Sequence, residues 1–277
     1  MRTLYESIER AASNKGQAAS IKKHLAIAGI EDWKDLTKTN LFEFRDHLAE
    51  SVAPNTAKTV LASLKAILRR FEDDVELPKG WCDILQAKGE KPLKTYLTVS
   101  ELEKLEGAVP HNEIEQIALN QFLISAWTGM RISDTKNVCL EKTKEGVLTY
   151  VSQKTKTTAT IPLRPGIAER IAWLQEHGRD LYLATYNDAI RRIARRAGIR
   201  SSVVVFRGGK EDKGEKWEFI TSHTARVSFC TNLAKTGTDL LSISRLAGHS
   251  SVQMTQRYCV PTKVDLNAKA KAFFGIN

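Results

Sequence analysis

The sequence predicts a mainly α-helical fold with a small antiparallel β-sheet, divided between two domains. Three observations lead there. Apolar residues recur at helical spacing over most of the 277 residues, two-residue alternation appears only around 147–163, and a Pro-, Gly- and Lys-rich stretch from Leu77 to Thr95 punctuates the chain. Charge divides at the same place. Residues 1–90 hold 14 Lys+Arg against 14 Asp+Glu, whereas residues 91–277 hold 28 against 18 and carry the entire formal charge of +10. We therefore expect a helical domain at 1–88, a linker at 89–95 and a second domain at 96–277. A positive field confined to the second domain draws polyanions, of which nucleic acid is the most common.

In the first domain Leu4 and Ile8 mark one helix, and Ile21, Leu25 and Ala28 mark another that stops at Gly29. Leu41, Phe44 and Leu48 mark a third, behind a Thr39–Asn40 cap. Pro54 and Asn55 open the clearest helix, with Val60, Leu61, Leu64, Ile67, Leu68 and Phe71 on its apolar face. Lys58, Lys65 and Arg69 form a basic stripe opposite. Such a stripe serves as a solvated face or as a run of DNA-phosphate contacts.

The second domain opens with helices expected at Val99–Ala108 and Glu113–Trp127, the latter ending at Gly129. Arg131 then lies in a tight turn, with Ser133 as the expected cap of the next helix. Val147, Thr149 and Val151, then Ala159, Ile161 and Leu163, alternate as a hairpin with Lys154 and Lys156 at its tip; a third strand is expected near Val138–Leu140. From Asn187 a capped helix turns Ile190, Ile193 and Ala194 inward and Arg191, Arg192, Arg195 and Arg196 outward, with no balancing acid after Asp188. Those arginines form either a solvated face or a DNA contact. Val203–Phe206 and Trp217–Ile220 suggest a short strand pair.

The stretch from Ser222 to Tyr258 is the richest in chemistry. Ser222 is the expected cap of a helix whose first turn holds His223 and Arg226 on one face, at an end whose dipole favours anions. A second helical run, Asp239 to Ala247, ends at Gly248, so His249 lies just past it in a turn. Ser250 and Ser251 precede a short helix carrying Tyr258. Beyond it, Leu266, Ala270 and Phe273 or Phe274 predict a tail helix at 264–274, which packs either on its own domain or on a neighbouring subunit.

Four scattered cysteines, Cys82, Cys139, Cys230 and Cys259, suggest reduced thiols and neither a zinc site nor a disulfide framework. The first residues lack the apolar run of a signal peptide, and no stretch approaches a membrane span, so a cytoplasmic, nucleoid-associated protein is expected. No internal repeat is apparent.

His223-x-x-Arg226, then Leu246-x-Gly248-His249, then Tyr258 resembles the signature of the tyrosine recombinases, the phage integrase family. Thr128-Gly129-Met130-Arg131-Ile132-Ser133-Asp134 is similar to that family's upstream arginine turn. The resemblance implies a helical core-DNA-binding domain and a catalytic domain that breaks and rejoins DNA. It also implies the roles. Arg131 and Arg226 clamp the scissile phosphate, His223 manages the proton of the nucleophile Tyr258, His249 donates to the phosphate, and Lys154, with Lys156 in reserve, protonates the leaving 5′-oxygen. Asp134 braces the site. A phenol ionises near pH 10 in water, so such help is needed.

The implied reaction passes through a 3′-phosphotyrosine, which conserves bond energy, so no metal or other cofactor and no ATP are expected and activity should persist in EDTA. The implied partners are double-stranded DNA with inverted-repeat core sites and, on that DNA, a homotetramer assembled from monomers. The length suggests no additional arm-binding domain. Val227 departs from the His that many relatives carry after the second arginine. A type IB topoisomerase and a DNA-binding regulator without catalysis are the other readings; a defined target site argues against the first and a covalent adduct against the second.

Overall fold

The computed structural model describes residues 2–90, 94–178 and 180–259. The expected tail helix at 264–274 lies outside them. The chain divides into two compact units, Met1–Leu93 with Phe206–Asp212, and Lys94–Val205 with Lys213–Asn277.

The first unit holds helices α1 (Leu4–Ala11), α2 (Lys15–Ile27), α3 (Lys38–Ser51), α4 (Pro54–Leu68) and the single turn α5 (Trp81–Ile84). Side chains close their N-termini. Thr3 and Glu6 cap α1 reciprocally, Asn14 accepts from Gln17 N–H at α2, and Thr37 accepts from Asn40 N–H at α3. The cap of α3 thus lies two residues ahead of the expected Thr39, because Asn40 turns its side chain to the Asp35 carbonyl instead. The expected apolar positions of α4 are buried, apart from Phe71 just beyond its end, which is half-buried against the same core as Leu4, Ile8, Leu25, Phe44 and Leu48.

The second unit holds α6 (Val99–Glu106), α7 (Glu113–Thr128), the turn α8 (Ile132–Thr135), strands β1 (Thr143–Lys144), β2 (Val147–Val151) and β3 (Thr158–Pro162), and α9 (Ile167–His177). It continues with α10 (Leu183–Arg196), strands β4 (Ser202–Arg207) and β5 (Lys210–Glu215), whose connecting tip belongs to the first unit, then α11 (Ser222–Lys235), α12 (Leu240–Ala247) and α13 (Val252–Gln256). Strands β1, β2 and β3 form an antiparallel sheet, Val147 facing Pro162 and Val151 facing Thr158. The third strand is at 143–144, not near Val138–Leu140. Val138 is drawn into the core, and residues 140–142 make a 3₁₀ turn before the chain can pair.

Helix α7 is the hub of this unit, packed on α9, α10 and α11. Enclosed on all sides, it buries Asn120, Gln121, Ser125 and Thr128 along with its apolar residues, which a one-face pattern does not anticipate. Its first turn reaches the surface, where Ile114 is 41% exposed. Helix α10 begins four residues before Asn187, whose side chain instead accepts from the backbone N–H of Ser222. Strand β5 is at 210–215 rather than 217–220, because Gly208 and Gly209 (φ 62° and 80°) reverse the chain at once in a tight hairpin turn. Residues 216–219 then form a 3₁₀ turn.

Candidate active site

The site is assembled on the α7–α8 turn, the tip of the β2–β3 hairpin, the first turn of α11 and the segment from Gly248 to Tyr258. Helix α7 ends at Gly129 with φ 72°, a conformation that favours glycine. A side chain here would also collide with a neighbour: an added Cβ would come within 2.5 Å of the Phe229 ring on α11. The turn therefore lies close against α11. Its geometry points the Gly129 carbonyl at Arg226, which donates to it from Nη1 at 2.5 Å.

Thr221, not Ser222, precedes α11. Its N–H donates to Thr224 Oγ1, and Ser222 becomes the first helical residue. His223 and Arg226 follow in the first turn, as the spacing predicts. Arg226 is only 1% exposed, the largest fully buried side chain among the described residues. Besides Gly129 it donates from Nε to His249 Nε2 at 3.2 Å. Neither partner offers a counter-charge. Arg131, in the α7–α8 turn, donates from Nη1 to Ser152 Oγ at 2.7 Å. Nη2 of each arginine is buried with no hydrogen-bond partner among the described residues. Burial holds the Arg226 guanidinium below its ordinary pKa, and the Arg131 charge lowers it further. Two like charges with donors to spare form a receptor for an oxyanion.

His249 follows Gly248, whose φ of 65° ends α12 and turns the chain back. The imidazole is 5% exposed and both ring nitrogens are engaged: Nε2 accepts from Arg226, so Nδ1 carries the proton and donates to Thr255 Oγ1 at 2.8 Å. The expected donor to phosphate thus spends its hydrogen bonds inside the chain, on the arginine and on the turn that leads to Tyr258. Loss of surrounding water, then the charges of Arg226 and Arg131 and the His223 ring, push its pKa down to about 3.

Tyr258 follows α13. Its N–H donates to the Thr255 carbonyl and its own carbonyl accepts from Thr231 Oγ1 at 2.8 Å, tying it to α11. The ring stacks on His249 at 4.8 Å and 10° and meets the edge of His223 at 5.1 Å and 61°. The Arg226 guanidinium lies 5.8 Å from its centroid. His223 keeps an exposed edge. The water lost elsewhere around it, then Lys94, Arg226, Arg131 and Lys154, push its pKa down to about 4.

The hairpin tip is held from three sides. Asp134 accepts from Gln153 N–H at 3.0 Å, Arg131 holds Ser152, and Thr155 donates to the Gly248 carbonyl. Asp134 therefore braces the residue next to Lys154. Lys154 and Lys156 are both exposed, and Lys156 has φ 54°, a left-handed turn position. Between the two, Lys154 is the one whose charge reaches His223.

The residues expected to touch DNA are placed unevenly. Lys58 is exposed on α4 and Arg69 just past its end, whereas Lys65 donates to the Cys82 carbonyl at 2.6 Å. On α10 the balancing acid comes from another helix. Glu115 of α7 binds Arg192 (3.2 Å) and Arg196 (2.5 Å). Arg191 donates to the Ile220 carbonyl and Arg195 stands over the Trp217 indole. Sequence reasoning missed Ser152 and Thr255, which hold Arg131 and His249, and gave Lys94 no place in the site.

Residues 95–263 match the phage integrase family. The tyrosine recombinase XerD of Listeria monocytogenes is 25% identical over 300 residues, covering 96% of this chain and 94% of that protein. Among solved structures, the Tn1549 transposon integrase in complex with transposon right end DNA superimposes with a TM-score of 0.69 at 17% identity, over 99% of this chain and 100% of that one. A lambda integrase tetramer bound to a Holliday junction gives 0.65 at 16% identity, over 94% and 78%. These two share the fold.

Proposed function

The chain belongs to the phage integrase family and is a tyrosine recombinase, and from that premise we propose that it cleaves and rejoins DNA through a 3′-phosphotyrosine on Tyr258. One observation carries the reading: Tyr258 packs against His223 and His249 beside Arg226, while Arg226 and Arg131 each keep a buried Nη2 to offer. A scissile phosphate supplies the charge the pair lacks. The two forked guanidinium groups bind its non-bridging oxygens and stabilise the charge that grows in the transition state. The Tyr258 oxygen bonds to phosphorus as the P–O5′ bond breaks, and Lys154, on the exposed hairpin tip, gives its proton to the departing oxygen. His249 acts through Arg226, which it holds by Nε.

Lys58 and Arg69 contact the DNA backbone from the first unit, with Lys65 at the margin. The arginines of α10 contribute field more than contact, since Glu115 engages two of them. Strand exchange takes place between two inverted-repeat core sites in a homotetramer, a reading supported by the lambda integrase tetramer on its junction. The chemistry requires neither metal nor ATP.

The test is a nicked suicide duplex carrying DNA that flanks the gene, incubated in EDTA and resolved on a denaturing gel. Wild-type protein should form a slow-migrating covalent adduct, and Tyr258→Phe should bind the duplex and form none. Binding without an adduct on any flanking sequence would sink the catalytic reading in favour of a DNA-binding regulator.

A further inference from the structure

Lys94 stands in the site although no motif includes it. Its Nζ lies 3.4 Å from His223 Nε2 and 4.9 Å from the centroid of the Tyr258 ring. The position is built into the second unit. Three residues on, Leu97 is fully buried, its N–H donates to Ser228 Oγ at 2.8 Å and its carbonyl accepts from Asn232 Nδ2 at 3.0 Å. Ser228 and Asn232 lie on α11, the helix that carries His223 and Arg226. Thr98 then caps α6. The backbone that bears Lys94 is thus bolted to the helix whose first turn it serves.

We propose that Lys94 is a positioning residue for the nucleophile: its ammonium, held against both His223 and Tyr258, stabilises the phenolate as it forms and keeps His223 an uncharged hydrogen-bond acceptor. The inference rests on Tyr258 being the nucleophile. An ammonium has only protons to give, so Lys94 donates to Nε2 and the His223 proton resides on Nδ1. A cation at the ring face is drawn to a phenol and more strongly to a phenolate. The side of the phosphate is also determined. In-line displacement puts the leaving oxygen across phosphorus from the tyrosine oxygen, and Lys94 lies against the tyrosine ring, so its work is with the nucleophile and Lys154 keeps the leaving group.

Tyr258 loses its proton to solvent water, its oxygen bonds to phosphorus, the P–O5′ bond breaks, and the Lys154 proton goes to the 5′-oxygen. Lys94 keeps its protons throughout. Burial and the neighbouring Arg257 lower its pKa, in keeping with a crowded cation. The other groups facing this triad are Arg226 and His249 beside Tyr258, and Arg131 and Lys154 toward His223.

Single-turnover adduct formation tests the assignment, with wild type, Lys94→Ala and Lys94→Arg on an ordinary duplex and on one with a 5′-bridging phosphorothiolate, whose leaving group needs no proton. Lys94→Ala should react roughly 10- to 100-fold more slowly on both duplexes with gel-shift affinity unchanged. The deficit should narrow as pH rises, because hydroxide ionises the phenol without the ammonium, and Lys94→Arg should recover most of the rate. An unimpaired Lys94→Ala, a loss confined to DNA affinity, or a deficit erased by the phosphorothiolate would each overturn the proposal. A wild-type protein that forms no adduct would overturn the reading of Tyr258 and this inference together, whereas an active wild type with an equally active Lys94→Ala removes this inference alone.

Discussion

Replacing Glu115 by Gln should cost the second unit about 3 kcal/mol at neutral pH, and almost all of that should disappear in acid. Burial works against the Glu115 charge, but hydrogen bonds from Arg196, from the His111 N–H and from Arg192 outweigh it, and its pKa falls from 4.5 to about 2. A depressed carboxylate adds stability above its unfolded pKa and loses it as pH falls through the folded one. With 1.36 kcal/mol per pKa unit, the difference is about 3 kcal/mol at pH 7, about 2 near pH 3.5 and less than about 1 near pH 2.5. Gln keeps the shape and, like the protonated carboxyl, offers one accepting oxygen and one donor where Glu115 offers two acceptors, so it stands in for the acid form of Glu115. Urea unfolding followed by tryptophan fluorescence reads the change. At ~3 kcal/mol per M, the variant's midpoint should fall by about 1 M at pH 7 and by no more than about 0.3 M near pH 2.5. Equal midpoints at pH 7, or a gap that persists unchanged into acid, would refute the argument that Arg192 and Arg196 are spent on holding α7 to α10.

Gly129→Ala should destabilise the second unit by about 2–4 kcal/mol, from a left-handed backbone and a collision with Phe229, measured as a lower melting temperature; an unchanged one would mean that the α7–α8 turn yields freely. Arg226→Lys keeps the charge but cannot reach Gly129, His249 and a phosphate at once, so adduct formation should slow by about 10²–10³-fold while gel-shift affinity holds. Equal rates would remove Arg226 from the phosphate.

The spacing of Arg131, His223, Arg226 and His249 was legible because helix ends and helix starts survive in one dimension: Gly129 and Gly248 end helices where expected, and His223 and Arg226 fall in one first turn. The hairpin was legible for the same reason, its alternation being local. What the sequence hid depends on partners far along the chain. The arginines of α10 look unbalanced until Glu115, 77 positions before Arg192, is folded against them. Lys94 looks like one linker lysine among several until the bond from Leu97 to Ser228, 131 positions away, draws it to α11. The cap of α11 was misplaced by one residue because Thr221 and Ser222 are chemically alike, and the bonds of Thr221 to Thr224 and of Ser222 to Asn187 separate them only in the folded chain.

The bond between Arg226 and the Gly129 carbonyl spans 97 positions, as does that between Tyr150 and the Ala247 carbonyl. Contacts between such remote segments form late, after the loops between them have closed. Synthesis reaches His249 and Tyr258 only after the helices and hairpin they complete have emerged. A nascent or partly unfolded chain therefore carries the basic residues of the second unit before the contacts that join Arg226 to Gly129 and His249 exist. The distance between the pieces makes the site a property of the closed second unit, and no shorter segment of the chain holds it.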